Sequence, residues 1–310
     1  MKRALICLIL LSLFIITGCK EKQSMRNAVY TDSNAVNYDA NMKRDLLCLM
    51  MSYPEYICNI ERSSDGNVFI MMKSGRKILY DDKRTKNFEH KLANPDLQDM
   101  MEQTYPLADI SNLMVEDFDP GRIRKYALLS EVYGESREKI QGNLISVKVG
   151  YKKFLFNRNN KAAEALETVM KELIQLTQSR NDIYSAVFPT SGTFNYRLIS
   201  GTNLLSAHSF GTAIDLAVDK RDYWKWSSRE SGEKRVASYP KEVVRIFEKN
   251  NFIWGGKWGH FDIMHFEYRP ELILKSRYFS NKQNYDDCWY DGVPQNDDNI
   301  KQKIQLIDKL

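Results

Sequence analysis

Thr212 to Val218 reads TAIDLAV, an alternation that sets an aspartate into a β-strand. Successive strand side chains point to opposite faces, so Asp215 shares a face with Ala213 and Ala217. Ile214, Leu216 and Val218 take the other face, which the pattern assigns to the core. A carboxylate in so apolar a strand is costly unless a partner neutralises it. The two alanines leave room in front of it for that partner. His208 stands seven residues earlier, a spacing that puts it on the wrong face of one straight strand. Gly211 supplies the bend that brings it back over Asp215.

Three of the four histidines, His208, His260 and His265, fall within 58 residues, together with Asp215 and Asp262. His90, in NFEHKL, is far away and reads as a surface or capping residue. Histidine and aspartate clustered in turn-rich, glycine-rich sequence is a common build for catalytic metal sites. Two histidines and one carboxylate fill three tetrahedral positions of Zn²⁺ and leave the fourth for water. A free carboxylate nearby can take that water's proton. HFDIMHFEYRP places Asp262 three residues before His265. The same spacings also suit two hydrogen-bonded pairs in a core, His208 with Asp215 and Asp262 with His265.

The amino terminus speaks to location. Lys2 and Arg3 precede an apolar run, Ala4 to Ile16, then Thr17, Gly18 and Cys19. A basic start, a short apolar stretch and small residues describe a secretory signal. The run falls short of the ~20 residues of a spanning helix. Ile16-Thr17-Gly18-Cys19 resembles the lipobox of bacterial lipoproteins, which implies cleavage before Cys19, acylation of its sulfur and an extracytoplasmic, membrane-anchored protein. The net charge of +5 includes Lys2 and Arg3, and the remainder holds no long basic block, so nucleic-acid binding gains no support. In an oxidising compartment Cys48 and Cys58 could pair, and with Cys288 the count of three leaves at least one thiol over.

The chain divides into a signal (1–18), a polar tether (19–42), an N-terminal α/β extension (43–140), a domain that carries the histidine and aspartate cluster (141–275) and a C-terminal tail (276–310). Helices are expected over Lys43–Met51, Asp96–Tyr105, Ile123–Tyr133, Lys161–Gln178 and from Tyr239-Pro240 through Lys249, with a short one around Ile300, Ile304 and Ile307. VFIMM and KILY flank Ser74-Gly75 as strand, turn, strand. Leu144–Phe156 and IYSAVF, Ile183–Phe188, read as strands.

SAHSFGTAIDL, with Ser206, His208, Gly211, Ala213 and Asp215, resembles the SxHxxGxAxD motif of the VanY-like zinc peptidases. That family comprises D-alanyl-D-alanine carboxypeptidases and L-alanyl-D-glutamate endopeptidases that cut peptidoglycan stem peptides. FIWGGKWGHFDIMHFEYRPEL, Phe252 to Leu272, resembles its second motif, and GTFNYR, Gly192 to Arg197, the stretch before the first. The resemblance is strong over about Gly192–Leu272; elsewhere only DFDPGRIR, Asp117 to Arg124, resembles longer members. It implies that His208, Asp215 and His265 hold one zinc ion per chain, that Asp262 is the general base and that Arg197 stabilises the oxyanion. Relatives often carry Glu at the base position, one methylene longer. Ser206, His260 and Trp258 are candidate substrate contacts, and Glu267 is expected to orient a neighbour rather than bind metal. The implied fold is α+β, of the hedgehog/LAS type: a small antiparallel sheet carrying the zinc site, flanked by helices, with an N-terminal helix and hairpin extension. The WGGKW stretch leans toward the endopeptidase branch. The competing class is a non-catalytic cell-wall-binding lipoprotein that retains the fold.

The Cys19 assignment has a direct check. Cells fed a labelled fatty acid should yield a labelled, membrane-associated protein, and Cys19→Ser should abolish the label. A soluble, unlabelled mature form would overturn the lipobox reading.

Overall fold

The computed structural model describes residues 37–280 and 288–310, so the signal segment and Cys19 lie outside the described residues. Helix α1 covers residues 37–52, helical ahead of its expected start at Lys43. It buries Met42, Leu46, Leu47 and Leu49, and each fully buried leucine contributes about 1.5–3 kcal/mol. Cys48 is buried on this helix while Cys58 and Cys288 are exposed, and all three thiols are free. The Cys48–Cys58 bridge that short spacing allowed is therefore not made.

An antiparallel meander follows: β1 (Ile57–Arg62), β2 (Val68–Met72) and β3 (Lys77–Leu79). Then come α2 (Phe88–Ala93) and α3 (Leu97–Met101). Helix α3 stops short of the expected Tyr105, because Pro106 disfavours helical backbone before it. Tyr105 turns inward instead, donating its hydroxyl to Glu248. Helix α4 (Tyr126–Tyr133) likewise starts after the expected Ile123, since the chain up to Arg124 runs through the interior toward the central sheet.

After α5 (Arg137–Gly142), the expected single strand Leu144–Phe156 is a hairpin of β4 (Leu144–Val149) and β5 (Lys152–Asn157). Helix α6 (Ala162–Thr177) packs on both strands through Ala162, Leu166, Val169 and Leu173, the face its periodicity marked. IYSAVF is not a strand but most of helix α7 (Asn181–Val187). Ile183, Ala186 and Val187 are its buried residues, at helical rather than alternating spacing. Pro189 ends it, as a residue with no N–H to donate.

The last sheet has the order β6 (Ala213–Asp215), β8 (His265–Tyr268), β7 (Phe252–Trp254), with both pairings antiparallel. Helix α8 (Arg229–Ser238) and helix α9 (Lys241–Lys249) precede β7, and α9 packs on it. Helix α10 (Pro270–Phe279) and the terminal α11 (Asp298–Ile307) complete the chain, α11 burying Ile300, Ile304 and Ile307 as expected. The fold is thus α+β, small antiparallel sheets flanked by helices with an N-terminal helix. One apolar core runs from Met42 to Ile307. Ile214 and Leu216 are fully buried, but β6 ends at Asp215 and Val218, expected in the core, is 52% exposed. Among the described residues, no helix is long and apolar enough to cross a membrane.

The turn into β6 depends on Gly211, at φ +67°, where a Cβ would lie 2.6 Å from Leu144 Cδ2. Both the left-handed backbone and the close approach exclude a side chain. Gly211→Ala should lower stability by about 1–3 kcal/mol. An unchanged urea midpoint would show that the turn tolerates a Cβ.

Candidate metal centre

Backbone pairing brings two acid–base side chains together before any side-chain contact is considered. Asp215 and His265 are direct partners across β6 and β8, so both side chains leave the same face of the sheet. His265 Nδ1 lies 3.0 Å from Asp215 Oδ1. His208 reaches them from a 3₁₀ turn, Ala207–Phe210, that Ser206 caps by accepting the His208 N–H at 3.4 Å. Gly211 closes that turn, donating its N–H to the His208 carbonyl at 3.1 Å. His208 Nε2 then sits 3.2 Å from Asp215 Oδ2 and 3.2 Å from His265 Nδ1.

The other ring nitrogens are also occupied. His208 Nδ1 donates to the Thr193 carbonyl, which leaves Nε2 as the free lone pair. His265 Nε2 faces Glu267 Oε2 at 3.8 Å. Glu267 is bound in turn by Arg124 through both carboxylate oxygens. Burial would raise the Glu267 pKa, but the Arg124 guanidinium holds it well below the usual carboxylate range. Burial likewise opposes ionisation of Asp215, yet His208 and His265 hold its carboxyl far below the ordinary value.

The donor set fits a zinc ion. The two ring nitrogens are 3.2 Å apart, close to the roughly 3.3–3.6 Å edge of a tetrahedron with bonds of 2.0–2.2 Å, and each faces a different oxygen of Asp215, at 3.0 and 3.2 Å. Lone pairs from two imidazoles and a carboxylate converge on one point, and a shared proton or a metal cation there relieves their repulsion. Two histidines and one carboxylate also form a three-ligand set that leaves a fourth position open.

Asp262 stands beside this set. Its Oδ1 is buried and finds no hydrogen-bond partner among the described residues. Burial pushes its pKa up to about 7, with His265 opposing and Asp215 adding to the rise. The Asp262 N–H donates to the Gly255 carbonyl at 2.9 Å, and a Cβ on Gly255 would lie 2.4 Å from the Asp262 carbonyl oxygen. Only a bare backbone fits there.

These groups open into a cleft of about 510 Å³. Arg197, Ser206, Trp258 and His260, all expected near the site, line it together with the three donors and Asp262. The Arg197 guanidinium makes no ion pair among the described residues, while its N–H donates to Ser209 Oγ at 2.9 Å. Trp258 is 4% exposed, its ring 5.6 Å from His265 and its indole N–H donated to the Pro120 carbonyl. His260 is held by Asp119, at 2.7 Å from Nδ1 and 2.9 Å from its N–H, and lies between Phe88 and Trp224. His90 is exposed on α2, away from all of this.

Sequence reasoning missed the part of the wall built by the N-terminal half. Arg122 and Arg124 of DFDPGRIR, whose signal was charge concentrated at a Pro-Gly turn, line the cleft. Asp119 of the same stretch is buried and holds Arg122 and His260, and Phe88 of α2 stacks on His260. Tyr223, Lys225 and Trp226 form the facing rim. Arg122, Arg124, Arg197 and Lys225 line the cleft with cationic side chains, and among the described residues its lining acids are Asp215 and Asp262.

Residues 200–268 match the family described as D-alanyl-D-alanine carboxypeptidase. Over 67 residues the chain is 39% identical to the peptidoglycan L-alanyl-D-glutamate endopeptidase CwlK of Bacillus subtilis (strain 168). That alignment covers 21% of this chain, and the chain spans 40% of the length of that relative. No solved structure matches. The matched family segment contains His208, Asp215, Asp262 and His265, and leaves Arg197 and Arg124 outside it.

Metal uptake should release protons. The contact with Asp215, aided by Glu267, outweighs burial and pushes the His265 pKa from 6.5 up to about 10. The metal-free ring is then protonated at pH 7, and a ligand nitrogen must be bare. Zinc added at pH 7 in weak buffer should therefore bind one ion per chain and release about one proton. Binding without proton release would show that the metal-free His265 ring is already neutral at pH 7.

Proposed function

We propose that this chain, VanY-like over the segment that carries its metal centre, is a zinc peptidase of peptidoglycan stem peptides. The observation that carries the reading is the convergence of His208, Asp215 and His265 beside an unpartnered carboxylate oxygen of Asp262 in one cleft. Held by those three donors, zinc would supply Lewis acidity, polarising a carbonyl and acidifying water. Asp262 takes the proton of the attacking water and returns it to the leaving amine, a role that suits a carboxyl whose pKa lies near the working pH. Arg197, with no acid partner among the described residues, meets the negative charge that develops on the carbonyl oxygen. Ser206 is committed to capping the His208 turn, and it is not a nucleophile in this scheme.

The finer reading is an endopeptidase of the L-Ala–D-Glu type. Its support is the 39% identity with CwlK over 67 residues and the WGGKW stretch. Arg122, Arg197 and Lys225 give the cleft a positive rim suited to carboxylate-bearing peptides. His260 and Trp258 are proposed as fixed substrate contacts. With Lys2, Arg3 and the Ile16–Cys19 stretch, we place the enzyme at the cell envelope, anchored through a lipid on Cys19.

Digestion of purified stem peptides with mass readout of the fragments tests both levels. Cleavage between L-Ala and D-Glu is the expected result; loss of a terminal D-Ala would make it a carboxypeptidase. Peptide binding with no cleavage at all would leave a cell-wall-binding protein. Asp262→Asn should keep its zinc and lose activity by about 10²–10⁴-fold, the usual share of a general base. Wild-type turnover in that variant would remove Asp262 from the role.

A further inference from the structure

We propose that Arg124 is a positioning residue of the metal centre, acting through Glu267 on His265. The proposal rests on His265 serving as a ligand, and it concerns a residue outside the family-matching segment. Arg124 and Glu267 are both buried, at 6% and 1% exposure. Arg124 Nε donates to Oε1 at 2.9 Å and Nη2 donates to Oε2, a fork-to-fork contact that fixes the plane of the carboxylate.

The His265 ring stands between two carboxylates. Its Nδ1 faces Asp215 at 3.0 Å, and its Nε2 faces Glu267 Oε2 at 3.8 Å, a fraction of an ångström beyond a hydrogen bond. His265 and Glu267 are two apart on β8 and share a face, so pleating alone offers both side chains to the same space. What separates a ligand-side carboxylate from a supporting one is Arg124. With both oxygens held by Arg124, and Arg269 Nη1 3.5 Å from Oε1, the Glu267 carboxylate is fixed on the Nε2 side of the ring, away from Nδ1. It remains behind the ring, where a carboxylate draws the Nε2–H and leaves Nδ1 as the donor to metal.

Arg124 is itself preset by its segment. Its Nη1 donates to the Arg122 carbonyl at 3.0 Å, and Asp119 holds Arg122 at 2.6 Å. Trp258 donates to the carbonyl of Pro120, in the same turn. The guanidinium therefore arrives at Glu267 from a braced loop, where a flexible chain would give only a mobile counter-ion.

A merely structural ion pair would change stability and leave metal binding alone. The test is zinc affinity of the full-length protein, by competition with a chromophoric chelator, beside thermal unfolding of its zinc-free form. Arg124→Lys keeps the charge but cannot grip both oxygens. It should loosen zinc by about 10-fold, the lower end of the 10–100-fold range typical of such supporting groups, at nearly unchanged melting temperature. Arg124→Met alone strands a buried carboxylate, so Arg124→Met/Glu267→Leu, which removes both charges, is the second variant. It should bind zinc about 10–100-fold more weakly. Wild-type zinc affinity in Arg124→Lys, or in the double variant, would overturn the proposal. If the double variant does not fold, Arg124→Lys decides. A wild-type chain that binds zinc tightly yet cuts no stem peptide would sink the enzymatic reading and leave this one standing.

Discussion

The rung that joins Asp215 to His265 is the interaction on which the rest of the centre depends. Two side chains from residues fifty apart share a face because the β6–β8 ladder pairs their backbones. Ladder hydrogen bonds and the packing of Ile214 and Phe266 on the opposite face hold that register. A slip of one residue would turn every side chain of β6 over, burying the carboxylate in the core. The apolar alternation around Asp215 is thus what keeps the carboxylate aimed at the histidines.

Around that rung the protein spends its buried charge in pairs. Arg124 meets Glu267, Lys257 meets Glu248 at 2.6 Å, and Arg269 meets Glu271 at 2.6 Å. Buried pairs of this kind add little net stability, but removing one partner is costly, so they fix geometry more than they supply energy. Asp262 is the contrast, a buried carboxylate oxygen left without a partner beside the donor set. Such an exception costs folding energy and belongs where chemistry needs a carboxyl that can change its charge.

How much of this was legible in the sequence follows from which signals are local. The bend at Gly211 and the periodicity of α6 depend on neighbouring residues, and both appear in the fold; the alternation of TAIDLAV holds only through the strand, and Val218 lies beyond it, exposed. IYSAVF failed because a six-residue apolar run carries too little period to separate strand from helix, and the tertiary spacing of Ile183, Ala186 and Val187 decided it. Leu144–Phe156 failed because a hairpin turn at Gly150 can hide inside a β-branched run. In the site, Asp215 and the histidines stood out by residue type. Asp119, Arg122 and Arg124 did not, because an arginine announces nothing until its partner is known, and Glu267 lies more than a hundred residues away. Phe88 was invisible for the same reason.

The two histidines of the centre are secured by different kinds of partner. His208 gives its Nδ1–H to a main-chain carbonyl, that of Thr193, whereas His265 leans on the side chain of Glu267. A carbonyl persists through any substitution at its own position, while a carboxylate vanishes with a single change. Sequence drift can therefore rework the surroundings of His208 freely, so long as the backbone path holds. The surroundings of His265 can change only by coordinated steps, with Glu267 and its arginine moving together. Variation in this protein's lineage should be asymmetric about the donor set, permissive on one side and coupled on the other.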